Sequence, residues 1–242
     1  MDIKLILSYT RRAVDSYNMI EEGDRIAVGI SGGKDSLTLL CALAHLKKFY
    51  PKNFDIVAIS IDMGFEDGTD YSGVQRLCDE LGVELKVIKT QIYEIIFKVR
   101  KEESPCSLCS RMRRGALNDA ADELGFNKVA LGHHMDDVIE TYMLNLFYAG
   151  KIGTFSPVTY LDRSGITCIR PLIYVPEKDI RYFASKHNLP VFKSPCPADG
   201  NTERENMKKR IADLQKEIPD IKNKIFGAIQ RAEISGFHPL KK

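Results

Sequence analysis

The order of apolar and polar residues predicts short buried strands that alternate with amphipathic helices. Apolar runs with many branched residues, typical of buried parallel strands, occupy 25–30, 54–61, 83–89, 128–131 and 166–172. Helical spacing of apolar residues occupies 1–18, 37–46, 71–81, 91–99, 118–124, 138–147, 175–187 and most of 202–234, with a break at Pro219. Residues 149–158 are predicted to form a loop.

This alternation predicts an α/β fold with a Rossmann-like parallel sheet covered by helices on both faces, because parallel strands need long right-handed crossovers. We expect an N-terminal helical extension (1–22), a central α/β domain (23–190) and a C-terminal helical segment (191–242). Ligands of such sheets bind beyond the carboxyl ends of the strands. The segments that fall there are 31–36, 132–137, and Asp62 with Met63.

A glycine-rich turn joins the first predicted strand to its helix, and its residues are Ser31, Gly32, Gly33, Lys34, Asp35 and Ser36. Glycine lets backbone amides approach a ligand closely, and a helix start offers unpaired N–H groups at its positive end. The spacing differs from that of the Walker loop and from GxGxxG. It predicts a phosphate site, and a serine-capped tight turn without function is the alternative.

A second polar segment follows the strand 128–131 and opens a helix, and it consists of Gly132, His133, His134, Met135, Asp136 and Asp137. A single aspartate in this position commonly serves only as a helix cap. Two imidazoles and two carboxylates together predict a site for Mg²⁺ and for developing phosphate charge. Zinc is disfavoured because the histidines are adjacent rather than one helical turn apart.

Composition narrows the class of protein only partly. The chain has 242 residues, 44% of them apolar, and a formal net charge of +2. It can therefore bury a core, and its near-neutral charge leaves nucleic-acid binding to local basic patches. No apolar run approaches the roughly 20 residues that span a bilayer, and the N-terminus lacks a signal-peptide core. We therefore expect no membrane association and a cytoplasmic location.

Six cysteines in such a compartment are expected to be thiols or metal ligands rather than disulfides. Cys106 and Cys109 form a Cys-x-x-Cys pair, which is compatible with half a zinc site, a redox dithiol or part of an iron–sulfur site. The chain has no second pair to complete a zinc site, and the first pair follows a proline in a charged linker unlike that of thioredoxins.

The other cysteines fall into two kinds. Cys41, Cys78 and Cys168 lie in predicted helices or strands and are expected to be buried and inert. Cys196 lies between two prolines, where a thiol is presented rather than packed. Together with Cys106 and Cys109 it could hold three irons of a [4Fe–4S] cluster and leave the fourth iron open to carry sulfur.

Basic residues cluster in two regions. Arg111, Arg113 and Arg114 directly follow the cysteine pair. Lys208, Lys209 and Arg210 form a run in the C-terminal tail, where a solvated helix face is an equally good interpretation.

The turn at 31–36 resembles the PP-loop of ATP pyrophosphatases, which cleave ATP between its α- and β-phosphates. Nearly the whole chain resembles the TtcA family of tRNA 2-thiocytidine biosynthesis proteins. The matching stretches are SGGKDS (31–36), CSLCSRMRRGAL (106–117), LGHHMDD (131–137), LNLFYAGK (144–151), IRPL (169–172), EKDI (177–180) and Cys196.

The resemblance implies an enzyme that uses ATP to adenylate the C2 oxygen of cytidine 32 of a tRNA and then replaces that oxygen with sulfur. It implies ATP with Mg²⁺ bound by residues 31–36, Asp62, Met63 and Gly132, a [4Fe–4S] cluster on Cys106, Cys109 and Cys196, and homodimers. A cysteine desulfurase or another donor would supply the sulfur. The implied catalytic residues are Asp35, His133, Asp136 and Asp137, and the implied RNA-binding residues are Arg111, Arg113, Arg114, Lys151, Lys208, Lys209 and Arg210.

Two features depart from the family pattern. No second cysteine follows Cys196 closely, and Met135 stands where the family has arginine. A PP-loop sulfurtransferase acting on a tRNA uridine or on a small metabolite is therefore an alternative. A third possibility is a non-catalytic sensor that binds ATP, an iron–sulfur cluster and RNA. Such a sensor would not need both the turn 31–36 and the segment 132–137.

Overall fold

The computed structural model describes residues 3–66, 68–102, 105–192, 196 and 203–239. Its strands are β1 Asp24–Ile30, β2 Phe54–Asp62, β3 Leu85–Lys89, β4 Lys128–Ala130, β5 Val158–Leu161 and β6 Ile166–Ile169. Its α-helices are α1 Ile3–Ser16, α2 Lys34–Leu46, α3 Ser72–Leu81, α4 Pro105–Glu123, α5 Met135–Tyr148, α6 Glu177–Lys186, α7 Glu203–Glu217 and α8 Ile221–Arg231. A π-helical segment, Glu94–Val99, and a 3-10 turn, Ile234–Gly236, complete these elements.

The six strands form one sheet in the order β3-β2-β1-β4-β6-β5. All neighbouring pairs are parallel except β5 with β6. The predicted α/β fold is thus confirmed. The chain runs outward from β1 to β3 and then returns to β4, so the order reverses between β1 and β4, and the loops that follow these two strands meet there.

Helices cover both faces of the sheet, as predicted. On one face α4 packs Leu117, Ala120 and Ala121 against strand residues that include Ala27 and Val57. The larger core on the other face contains residues from α1, α2, α3, α5, α6, α7 and α8. None of the helices in the described residues is long and apolar enough to cross a membrane.

Two segments differ from their predictions. The cysteine pair was predicted to lie in a linker, but α4 is one helix that begins at Pro105 and carries both cysteines in its first turns. Its fully buried residues lie only in its later half, and the first half packs only the partly buried Leu108, Cys109 and Met112 on a small apolar cluster. The strand β5 begins at Val158, the last residue of the predicted loop 149–158, and was not predicted. Residues 1, 2, 193–195 and 197–202, on which parts of the terminal predictions fall, lie outside the described residues.

The C-terminal tail returns to the N-terminal helix. Phe237 is fully buried, with its ring centroid 6.0 Å from that of Tyr17 and 5.8 Å from that of Phe226. His238 Nε2 lies 3.1 Å from the carbonyl oxygen of Ser16. The residues after α8 therefore complete the packing around the end of α1.

A buried ion pair joins the starts of β1 and β4, because Lys128 Nζ lies 2.6 Å from Asp24 Oδ2. Both residues are almost fully buried, and Lys128 also donates to the Met19 carbonyl. We expect Lys128→Met to lower the free energy of unfolding by about 3–5 kcal/mol, because it leaves the Asp24 charge buried and unpaired. Urea unfolding measures this change.

The exposed pair Lys47–Asp55 provides a matched control for this prediction. Its nitrogen and oxygen are 2.7 Å apart, but both side chains are largely in solvent. Lys47→Met is expected to cost less than about 1 kcal/mol. Equal costs for the two variants would contradict the role that we give to burial.

Candidate active site

The turn between β1 and α2 presents backbone amides at the switch point of the sheet. Ser36 Oγ donates to the Gly33 carbonyl at 2.9 Å and also lies 3.2 Å from Ser31 Oγ, which fixes the turn. Gly33 is the N-cap of α2 and provides no side-chain cap. Because the first N–H groups of a helix lack intrahelical acceptors, this end of α2 is suited to bind an anion.

The segment 131–137 lies directly against this turn. A Cβ atom at Gly132 would stand 3.0 Å from the carbonyl carbon and oxygen of Asp35, so a side chain there would require this backbone to shift by a few tenths of an ångström. His134 is the N-cap of α5 and forms a reciprocal capping box with Asp137. Its Nε2 atom lies 3.6 Å from Asp35 Oδ1. The structure therefore joins the two polar segments that were predicted to form the site.

His133 packs on Phe155, with ring centroids 4.8 Å apart. Its Nδ1 atom is buried without a hydrogen-bond partner among the described residues. Burial lowers the pKa of this imidazole well below its usual value, and Asp137 opposes that change. His133 is consequently a neutral side chain at neutral pH.

The aspartates of this segment are already paired with cations from the C-terminal helices. Asp136 accepts the backbone N–H of Glu177 at 2.7 Å and lies 2.6 Å from Lys222 Nζ. Asp137 Oδ1 lies 3.0 Å from Arg204 Nη1. No local pattern in the sequence indicates these cations, since Lys222 and Arg204 lie more than 60 residues further along the chain.

Glu177, at the start of α6, was known only as part of a family stretch but contacts three cations. Its Oε1 atom lies 2.8 Å from Lys208 Nζ, 3.0 Å from Arg181 Nη2 and 3.1 Å from Lys34 Nζ. Burial alone would raise the pKa of its carboxyl, but these bonds hold that pKa well below its usual value. Burial disfavours the charge of Lys34, yet Asp35 and Glu177 raise its pKa.

Glu140 adds a buried carboxyl one helical turn beyond Asp137. Burial, with a further contribution from the charge of Asp137, raises the pKa of Glu140 to about 7, while Arg204 opposes the change. Its Oε2 atom lies 3.5 Å from Arg204 Nη1. Sequence analysis did not identify Glu140, because an acidic residue on a helix is usually exposed.

A cavity of about 420 Å³ adjoins the PP-loop and contains all three cysteines of the predicted cluster site. Its described lining contains no aspartate or glutamate. The lining residues are Gly29, Ile30, Ser31, Ile59, Ile61, Cys106, Cys109, Ser110, Arg113, Arg114, Leu117, Leu131, His133 and Cys196. The cavity thus combines thiols, an apolar wall and two guanidinium groups next to the turn 31–36, which is predicted to bind phosphate.

The donor set fits an iron–sulfur cluster by its chemistry, because clusters take thiolate ligands and depend on shielding from solvent. Burial raises the pKa of the Cys109 thiol, and the neighbouring Arg113 acts in the opposite direction. Within the described ranges, no three His, Cys, Asp or Glu side chains are arranged to hold a metal ion. The cavity brings the three cysteines to one place without presenting a finished ligand set.

The remaining residues predicted from the sequence lie at different distances from this centre. Met63 is buried, with its Sδ atom 3.9 Å from Cys109 Sγ, and the Asp62 carboxylate accepts the N–H of Gly64. Arg113 and Arg114 line the cavity, whereas Arg111 is exposed on α4. Lys151, Lys209 and Arg210 are also exposed, and Arg210 donates to the Tyr148 hydroxyl.

Known proteins show similarity over most of the chain. The PP-loop domain model matches residues 7–215. The tRNA-cytidine(32) 2-sulfurtransferase of Syntrophotalea carbinolica is 40% identical over 93% of this chain and 87% of the relative. That of Geotalea uraniireducens is 42% identical over 92% and 89%, respectively. Among solved structures, the U34-tRNA thiolase NcsA from Methanococcus maripaludis with its [4Fe-4S] cluster matches with a TM-score of 0.72 and 26% identity, covering 93% of this chain and 77% of that one.

Proposed function

This chain belongs to the PP-loop family that includes the tRNA-cytidine(32) 2-sulfurtransferases, and from that premise we propose how its residues carry out ATP-dependent thiolation of tRNA. The chain is a sulfurtransferase that modifies tRNA. The observation that supports our assignment of residues is the shared cavity, in which Ser31 of the PP-loop and the three cysteines face the same space.

ATP binds at the amide end of α2, with its phosphates next to Lys34. The amides and Lys34 stabilise the charge of the departing pyrophosphate, as fixed donors do in other transition states. Mg²⁺ takes oxygen ligands, and Asp35 would hold it together with the phosphates because its carboxylate is the most exposed of the three aspartates at the site. Asp136 and Asp137 hold Lys222 and Arg204, and His134 positions Asp137.

The reaction has two stages. The C2 oxygen of cytidine 32 attacks the α-phosphorus of ATP, which forms an O–P bond and releases pyrophosphate. Sulfur then bonds to C2, and AMP leaves with the original oxygen, which as a hydroxyl would be a poor leaving group. A [4Fe–4S] cluster on Cys106, Cys109 and Cys196 would supply an open iron site that holds the sulfur atom.

The residues that line the cavity can serve both adenylation and sulfur transfer. The wall formed by Leu117, Leu131 and Ile59 excludes water, which limits hydrolysis of the adenylated base. Arg113 and Arg114 neutralise phosphate charge near the reacting base. His133, which is buried and neutral, offers its unpartnered Nδ1 atom as a hydrogen-bond acceptor or, in its other tautomer, as a donor for that base.

RNA binding uses the exposed cations around this centre. Arg111, Lys151, Lys209 and Arg210 are placed to contact phosphates, and a base in a loop can leave its stack at low cost. Lys208 is bound to Glu177, so we assign it to the ATP site rather than to RNA. The proposed partners are tRNA, a cysteine desulfurase or another sulfur donor, and a second copy of the chain in a cytoplasmic homodimer.

The test is to reconstitute the protein anaerobically with iron and sulfide and to supply ATP, Mg²⁺, sulfide and an unmodified tRNA transcript. Nucleoside mass spectrometry is expected to find 2-thiocytidine with a transcript that has cytidine at position 32 and none with uridine there. The solved U34-tRNA thiolase favours a uridine as the second candidate. Detection of 2-thiouridine, or no thiolated nucleoside at all, would overturn the assignment to cytidine 32.

A further inference from the structure

We propose that Arg181 and Lys208 join Lys34 in a binding site for the β- and γ-phosphates of ATP and for the pyrophosphate that leaves. The carboxylate of Glu177 holds these three cations together. The proposal rests on the proposed function for the identity of the anion. Sequence analysis gave Arg181 no role, and the family resemblance assigned Lys208 to RNA.

The three cations come from three different helices and converge on one oxygen atom. The distances from Glu177 Oε1 are 3.1 Å to Lys34 Nζ of α2, 3.0 Å to Arg181 Nη2 of α6 and 2.8 Å to Lys208 Nζ of α7. Because each nitrogen lies within 3.1 Å of the same atom, no two of them can be more than twice that distance apart. Cations this close together can donate to neighbouring phosphates of one ligand.

Positive charge exceeds negative charge in this cluster. Among the residues that the structure describes, Glu177 is the only carboxylate at salt-bridge distance from Arg181 and from Lys208. Lys34 also pairs with Asp35, so two carboxylates serve three cations. Burial raises the pKa of Glu177, but the bonds to the cations hold that pKa well below its usual value, so the carboxylate stays charged. When Asp35 holds Mg²⁺, as proposed above, the excess of positive charge grows, and the cluster is suited to bind an anion.

The cations are accessible to a ligand, although the carboxylate is not. The side chain of Glu177 is 7% exposed, whereas those of Lys34, Lys208 and Arg181 are 25%, 32% and 60% exposed. The cations therefore cover a buried carboxylate and present their outer sides to solvent. Like charges at this distance repel one another, so Glu177 keeps the site assembled when no phosphate is bound.

Glu177 is itself fixed to the segment 131–137. Its backbone N–H donates to Asp136 Oδ2 at 2.7 Å, and Asp136 Oδ1 lies 2.6 Å from Lys222 Nζ. The charge of Asp136 also acts on Arg181, but Lys222 balances it. The site is therefore formed before the nucleotide binds, which is the arrangement in which fixed donors best stabilise a leaving group.

The cluster and the cavity lie on opposite sides of the PP-loop. The helix α4, which lines the cavity, covers one face of the sheet, and the helices of the cluster pack on the other face. In an in-line displacement, the leaving group departs opposite to the attacking atom. When the cytidine oxygen attacks from the cavity, the bond from the α-phosphorus to the bridging oxygen breaks. The electron pair of that bond then leaves with pyrophosphate, toward the cations.

The first measurement is the affinity of the full chain for pyrophosphate and for ATP, each with Mg²⁺ and without tRNA, by isothermal titration calorimetry. Lys208→Met is expected to weaken both about 10- to 100-fold, because hydrogen bonds between charged groups are strong where they are partly shielded from solvent. Arg181→Met should have a smaller effect, since this side chain is largely exposed. AMP, which lacks both outer phosphates, should bind to the parent and to both variants equally.

Each variant has a matched control on its own helix. Lys186 lies exposed in the last turn of α6, and Lys216 lies in the last turn of α7, where it pairs with the exposed Asp213. Lys186→Met and Lys216→Met should bind pyrophosphate like the parent. Pyrophosphate should raise the unfolding temperature of the parent and of both controls, and should raise that of Lys208→Met less. If Lys208→Met fails to fold, the affinity of Arg181→Met decides the question.

Three results separate this site from the proposed function. Parental affinity of Lys208→Met and Arg181→Met for pyrophosphate would overturn the proposal, even where the parent forms 2-thiocytidine. Weaker binding of tRNA with unchanged binding of ATP would overturn it as well, because the cluster would then bind RNA phosphates. If pyrophosphate binding depends on the cluster but no tRNA is thiolated, the site is supported and the proposed function fails.

Discussion

Cys196→Ala is expected to abolish tRNA thiolation while ATP-dependent pyrophosphate release continues in the presence of tRNA. Cys196 lines the cavity with Cys106 and Cys109. The groups proposed to bind ATP, the amide end of α2 and Lys34, are separate residues, and Lys34 does not line the cavity. Loss of a residue that merely orients a metal ligand weakens binding about 10–100-fold, so loss of a ligand should cost at least that much.

The measurement combines iron and sulfide analysis, absorption spectra and nucleoside mass spectrometry with an assay for pyrophosphate. Cys41→Ala is the control, because Cys41 is buried in the core and is not among the residues that line the cavity. The control should retain iron and 2-thiocytidine formation. Normal thiolation by Cys196→Ala would show that sulfur transfer does not use this thiol.

Lys34→Met should give the opposite pattern, with an intact cluster and a strongly reduced rate of ATP turnover. Lys34 Nζ lies between Asp35 and Glu177, 3.0 and 3.1 Å from their oxygens, at the first residue of α2. Removing one fixed donor from a developing negative charge commonly costs about 10²–10³-fold in rate. We expect tRNA-dependent pyrophosphate release to fall by that factor and thiolation to fall equally.

Lys48→Met is suited as the control, because this lysine is exposed beyond the other end of α2. It should leave both rates unchanged. A Lys34→Met protein that releases pyrophosphate at the parental rate would remove Lys34 from the ATP site. The two variants together test whether nucleotide activation and sulfur delivery depend on separate groups in adjoining places.

The parallel strands β1, β2, β4 and β6 could be predicted from the sequence because most of their residues are buried and therefore form apolar runs. The edge strand β3 was predicted from its branched residues, although its residues are only partly buried or exposed. The strand β5 could not be predicted, since it is a short antiparallel edge strand whose residues are only partly buried or exposed. The first half of α4 was missed for a related reason. Only Leu108, Cys109 and Met112 pack on a small apolar cluster there, and the polar residues between them face the cavity or solvent, so the helical pattern is weak.

Some parts of the candidate site could likewise be predicted from the sequence, and others could not. The PP-loop and the segment 131–137 are continuous in sequence, and their chemistry is visible in a few adjacent letters. The pairing of Asp136 with Lys222 and of Asp137 with Arg204 depends on how α7 and α8 dock onto α5. The helix α7 is rich in lysine and glutamate, and α8 has two lysines, so the charged residues that point inward look no different in the sequence from those that point to solvent. Lys208 and Lys209 are neighbours with different surroundings for this reason.

The contact between the tail and α1 has a consequence for biosynthesis. The helix Ile3–Ser16 leaves the ribosome early, but Phe237 and His238, which pack on Tyr17 and Ser16, are made more than 200 residues later. Domains generally begin to fold from the N-terminal side during synthesis. Part of the surface of the nascent helix therefore stays exposed until the tail has been synthesised. A chaperone that binds apolar surface on ribosome-bound chains is expected to bind there.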